Sequence, residues 1–151
     1  MYDALYIAVA QTQRFVQRTP AIPRRQVVVV LSDGRDTASL LPLEEVLERV
    51  RESGAAVYTI RLRPHVAFPV QDTNRGQDEY VLRQMAETNG GRAFFVTTGA
   101  GLADAYAGIA RELTSQYVLA YTAGPGAERW RGIEVRVKRE GSTIRAREGH
   151  V

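Results

Sequence analysis

One stretch constrains this chain more than any other: Gln26-Val27-Val28-Val29-Val30-Leu31-Ser32-Asp33-Gly34-Arg35-Asp36-Thr37. The unbroken aliphatic row reads as a strand buried on both faces, as in a parallel sheet. It stops at a polar loop on the strand's carboxyl end, the edge where open α/β sheets bind ligands. Two carboxylates (Asp33 and Asp36) and two hydroxyls (Ser32 and Thr37) converge on that edge.

The elements around this strand define the fold class. Leu5, Val9, Thr12 and Val16 recur at helical spacing, predicting an amphipathic helix over 2–17 that begins with no capping residue in its own sequence. Pro20 and Pro23 end it. After the polar loop, Pro42 suits a first turn and Glu44 and Glu45 favour a helix start. Leu43, Val46, Leu47 and Val50 form one apolar face, and Gly54 closes the helix. Residues 55–62 form a second strand, so 26–62 is a βαβ unit with parallel strands.

A polar, proline-broken loop (63–77) then leads to a helix over 78–89 stopped by Gly90-Gly91. A third strand follows over 92–97 and a last helix over 102–116. The fold class is therefore α/β: a doubly wound, mostly parallel, Rossmann-like sheet. The pattern changes after 116. Strand-like runs at 117–122, 133–139 and 143–147, with turns at Gly124-Pro125-Gly126 and Glu140-Gly141-Ser142, predict a C-terminal antiparallel β-meander. Residues 1–116 are thus read as the α/β domain and 117–151 as a meander packed on it.

Composition excludes several classes of function. At 151 residues one domain can bury its own core. The chain has no cysteine, which removes disulfides and thiolate metal sites, and no apolar run long enough to span a membrane. The net charge is only +3, although residues 129–147 hold seven Arg and Lys against Glu134 and Glu140. That stretch, with Trp130, Tyr117 and Tyr121, is the one route to nucleic acid. Alternating charges on a half-buried strand are more simply a solvated face, so no nucleic-acid partner is expected. An Asp33/Asp36 hydrolase or phosphatase is a second alternative. It fails for want of a positioned acid or base: the histidines are His65, in a loop, and His150, at the end. Gly99-Ala100-Gly101 reads as a helix entry rather than a phosphate loop. No enzyme is expected.

Tyr2-Asp3-Ala4-Leu5, the 28–37 segment, Ala56-Val57-Tyr58-Thr59-Ile60 and Glu87-Thr88-Asn89-Gly90-Gly91-Arg92-Ala93-Phe94 together resemble a von Willebrand factor A (VWA) domain. The tail from Ser115 to Lys138 is similar to a bacterial, acidobacterial-type branch of VWFA-related proteins. The resemblance implies a non-enzymatic, adhesion-type binding module that works outside the cytoplasm when a signal precedes it. It grips an acidic group of a protein partner through a divalent cation, Mg²⁺ or else Mn²⁺ or Ca²⁺. The family's ligands come from three loops: an Asp-x-Ser-x-Ser motif, a threonine, and an aspartate that matches Asp33. Ser32, Gly34, Arg35, Asp36 and Thr37 would form the rim, with the 63–77 loop beside it. The sequence holds no Asp-x-Ser-x-Ser. The resemblance therefore implies an N-terminally shortened domain with an incomplete cation site: part of a longer protein that supplies the other loops, or a natural half-domain whose site is vestigial. Its sheet would have an open edge suited to homodimerisation or strand exchange.

Overall fold

A computed structural model describes residues 1–18, 25–63, 75–117, 119, 130–147 and 149–150. Among them the elements run α1 (Tyr2–Arg18), β1 (Val27–Leu31), α2 (Leu43–Ser53), β2 (Ala56–Leu62), α3 (Arg75–Glu87), β3 (Ala93–Val96), α4 (Gly99–Thr114), β4 (Arg131–Gly132) and β5 (Gly149–His150). The connection with Pro20 and Pro23, most of the 63–77 loop with His65, and most of the 117–122 run with its Gly124-Pro125-Gly126 turn lie outside the described residues.

The first three strands form one parallel sheet in the order β1-β2-β3. Helices cover it on both sides, as a doubly wound fold requires. On one face Leu5 and Val9 of α1, Val46, Leu47 and Val50 of α2, and Val81 and Met85 of α3 close over Val57. On the other, Ala105 and Ile109 of α4 cover Tyr58 and Ile60, with Phe94 and Val96 beside them. Each buried aliphatic side chain contributes about 1.5–3 kcal/mol relative to an exposed one, so these two layers carry the fold.

The helix ends follow their sequence signals. Gly54 takes a left-handed conformation (φ 67°) after α2, and Pro42 stands at its N-cap. The last helix starts earlier than its apolar face suggests, at Gly99, because the Thr98 hydroxyl accepts a bond from Gly101 N–H at 3.1 Å. α1 receives in space the cap that its sequence lacks. The Ser39 hydroxyl accepts from Asp3 N–H at 3.2 Å, and Asp36 takes the Met1 amino group at 2.6 Å.

Two expectations need correction. β1 is not buried on both faces: among the described residues it pairs with β2 alone, and Val29 and Leu31 are 37% and 52% exposed. Its aliphatic row reports strand propensity, but α4 packs on β2 and β3, and on this face of β1 Val27 meets that layer while Val29 and Leu31 stay exposed. The tail pairs antiparallel, as expected, but over much less length. Arg131–Gly132 pairs with Gly149–His150, and Arg147 makes a lone bridge to Asn89. No ladder forms over 133–139, where Val137 is half exposed. Three apolar residues (Ile133, Val135 and Val137) on a charged strand give too little buried face to hold a ladder in register. The turn at Glu140-Gly141 is present, with Gly141 at φ 71°.

Gly91 sets the approach of α3 and β3 to β2. A Cβ there would lie 1.8 Å from the Val57 carbonyl oxygen, whereas one on Gly76 would meet nothing within 4 Å. Gly91→Ala should therefore cost stability at the upper end of the ~1–3 kcal/mol of an overpacked core, or beyond it. Gly76→Ala should cost none, since alanine is the better helix former. Urea denaturation of both variants checks this, and equal midpoints would show that the close approach does not matter.

Candidate functional site

The loop after β1 is shaped by its own short side chains. Ser32 N–H still pairs with the Ile60 carbonyl at 3.0 Å, so the strand geometry runs into the loop. The Ser32 hydroxyl then accepts from Gly34 N–H at 3.1 Å, and Asp33 Oδ1 accepts from Arg35 N–H at 3.0 Å. These are two successive side-chain-capped turns. Gly34 sits at φ 91°, which favours glycine, and is buried against α3: an added Cβ would lie 2.9 Å from Asp78 Cβ and 3.2 Å from Leu82 Cδ1. The loop is thus braced from below while Asp33, Arg35 and Thr37 stay exposed.

Beneath it lies a charge network that the sequence reading missed. Arg61, only 5% exposed on a core strand, donates to Asp78 Oδ2 at 3.2 Å. The same oxygen lies 3.8 Å from Arg35 Nε, and Arg61 also reaches Glu79 at 3.8 Å, where Arg63 pairs as well. A buried guanidinium must have a partner, and the first turn of α3 supplies it. An arginine inside the apolar 55–62 run, followed by two acids at the next helix start, signals a buried charge in sequence, and only the fold brings its partner to it.

The two aspartates of the motif separate in role. Asp33 is at the exposed tip. Asp36 is turned inward, ion-paired with the Met1 ammonium at 2.6 Å and bonded by the Ser39 hydroxyl at 2.7 Å. Ser39 in turn accepts from the Met1 amino group at 3.1 Å, and the Asp3 carboxylate accepts from Leu40 and Leu41 N–H. Burial alone would push the Asp36 carboxyl up. The Met1 and Ser39 bonds, the ammonium charge and a bond from Tyr2 N–H outweigh it, and the group is held below the usual carboxylate range. The Tyr2 phenol beside it is pushed up, first by burial and then by the charges of Asp36, Glu44 and Asp78.

These residues fall short of a cation site on their own. A hard divalent ion wants about six oxygen ligands. Among the described residues no group of three or more His, Cys, Asp or Glu comes together. Asp33 offers a carboxylate and Ser32 a hydroxyl already used within the loop, while Asp36 is committed to the start of α1.

A carboxyl held low in the fold stabilises it fully above the unfolded value of about 3.9, and that share is lost as pH falls through the folded value. Urea midpoints measured from about pH 2 to 6 should therefore fall less steeply on acidification for Asp36→Asn than for the unsubstituted chain. Parallel curves would remove Asp36 from the clamp on α1.

Comparison with known proteins agrees with this architecture. Residues 4–93 match the family described as "VWA domain containing CoxE-like protein". No curated protein matches the chain. A crystal structure of an uncharacterized membrane spanning protein from Vibrio fischeri is similar over 65% of this chain at 24% identity, with a TM-score of 0.50. The chain spans about half (51%) of the length of that protein, and the likeness is one of fold. With the sheet order, the helices on both faces and the family match over more than half its length, this chain belongs to the VWA domain family, in its CoxE-like group.

Proposed function

We propose that this chain is part of a non-enzymatic binding module that presents the loop Ser32–Thr37 to a protein partner. Asp33 would contribute one ligand to a divalent cation, Mg²⁺ or else Mn²⁺ or Ca²⁺, completed in a longer protein by loops outside this sequence. The observation that carries the reading is the contrast within the loop. Gly34 and Asp36 are locked inward while Asp33 and Arg35 face solvent, an arrangement that presents a carboxylate on a rigid support. An acidic group of the partner would take the cation's open place, as the VWA family suggests in general. For the hydrolase alternative Asp36 is the weaker member of the pair, since it already accepts from the Ser39 hydroxyl at 2.7 Å. In the longer protein, Asp33→Ala should abolish cation-dependent capture of the partner with circular dichroism unchanged. Binding that survives the substitution would end the ligand role.

The open edge of β1 is the second contact we assign to the module. Val29 and Leu31 lie exposed beside a strand edge that nothing pairs among the described residues, so another strand or a second copy can extend the sheet there. Sedimentation of this chain should show a concentration-dependent dimer that Leu31→Lys dissociates. A monomer at all concentrations would exclude self-association through this edge.

A further inference from the structure

The sheet's other edge has a different chemistry. β3 pairs with β2 on one side, and among the described residues nothing pairs with the other. Thr59 N–H donates to the Arg92 carbonyl and Arg63 N–H to the Val96 carbonyl. In a parallel ladder the alternate residues then face away, so Ala93 and Phe95 turn their N–H and C=O groups outward. A cleft of about 500 Å³ runs along this edge, lined among others by Arg83, Glu87, Arg92, Phe94, Phe95 and Arg145.

Its walls carry surplus positive charge. Strand alternation puts Phe95 on the α3 face and Phe94 on the α4 face, and each ring carries a guanidinium. Arg83 lies 4.6 Å from the Phe95 centroid and Arg92 4.8 Å from that of Phe94. Arg92 and Arg145 share one carboxylate, Glu112, and Arg83 has no carboxylate partner among the described residues. Glu87 is the one acid among the lining residues. Stacking on the rings holds these arginines in place with donors still to spend.

We propose that the cleft along β3 takes an extended acidic peptide by strand addition. The peptide main chain would bond to the outward groups of Ala93 and Phe95. Its side chains alternate between faces, so carboxylates two residues apart would reach Arg83 on one side and those on the other face would reach Arg92 and Arg145. Single-stranded nucleic acid fits the charge but not the surface. The ring faces that bases would stack on are covered by guanidinium groups, and the unpaired edge matches a peptide backbone. This site is separate from the loop after β1 and does not depend on a cation.

Fluorescence anisotropy on the full chain tests it, with a labelled peptide of about eight residues in Glu-Glu-Val repeats, which puts carboxylates on both faces of the added strand. A Lys-Lys-Val counterpart and an oligothymidine strand serve as competing probes. The acidic peptide should bind saturably and the other two far more weakly. Arg83→Glu should weaken binding about tenfold or more. Ala93→Pro removes one outward N–H at a position where an edge strand tolerates proline, and should weaken binding comparably with the melting curve unchanged. Methylating alternate amides of the peptide repeats that test on the other partner, should the proline variant unfold. The proposal is overturned by preference for oligothymidine, by equal binding of the Lys-Lys-Val peptide, by no saturable binding, or by indifference to amide methylation.

Discussion

The structure depends on a clasp at the amino edge of the sheet. The Asn89 side-chain amide donates to the Val50 and Ala55 carbonyls, which joins the end of α3 to the end of α2 and the start of β2. Two residues on, Gly91 N–H donates to the Ala86 carbonyl at 2.9 Å and its backbone rests on Val57. The tail is anchored at the same place through the Asn89–Arg147 bridge. These polar bonds are buried, so losing them would cost more than a surface bond, although the Val50 carbonyl also accepts from the Ser53 hydroxyl at 2.7 Å. With the returns pinned at one edge, parallel strands send their loops to the other. The Ser32–Thr37 loop meets the start of α3 there because the register of β1 on β2 brings it there.

Much of this was legible in residue order. The helical periods, the Gly54 and Gly90-Gly91 stops and the strand–helix–strand spacing each rest on local physics, and each corresponds to an element found. The misses have a common cause. Nothing local in Val27–Leu31 says which neighbours the strand will have, so burial on both faces was read where only one is covered. The cap of α1 comes from Asp36 and Ser39, more than thirty positions away. Arg61 advertised a buried charge, but only the fold brings Asp78 to it. In the tail, alternation over 133–139 shows in the half-buried Ile133 and Val135 between exposed charges, yet so little burial does not form a ladder.

Among the described residues both outer edges of the sheet are unpaired, and they differ in what lies beside each. At β1 the side chains of Val29 and Leu31 are exposed on the α4 side, and what such an edge selects is shape and apolar surface. At β3 both flanking helices are present. Arg83 comes from α3 and Glu112 from α4, and the arginines stand on aromatic rings that would otherwise be exposed. Charge at such an edge discourages indiscriminate pairing and restricts which strand can be added, so the same feature serves as protection and as specificity.

The Asp33-Gly34-Arg35-Asp36 motif shows how one short loop separates support from presentation. Asp36 loses solvent but gains an ammonium, a hydroxyl and a backbone N–H, and stays ionised. Its work is mechanical, since it fixes the start of α1 against the loop. Gly34 must lie flat on Asp78, and Asp78 must be neutralised by Arg61 for that approach to be tolerable. Only after these three are satisfied does Asp33 have a defined position while remaining exposed. A pair of like carboxylates sharing a proton would need both groups free and close together. Here Asp36 is bonded by the Ser39 hydroxyl while Asp33 stays exposed, so the two carboxylates stand in unlike surroundings.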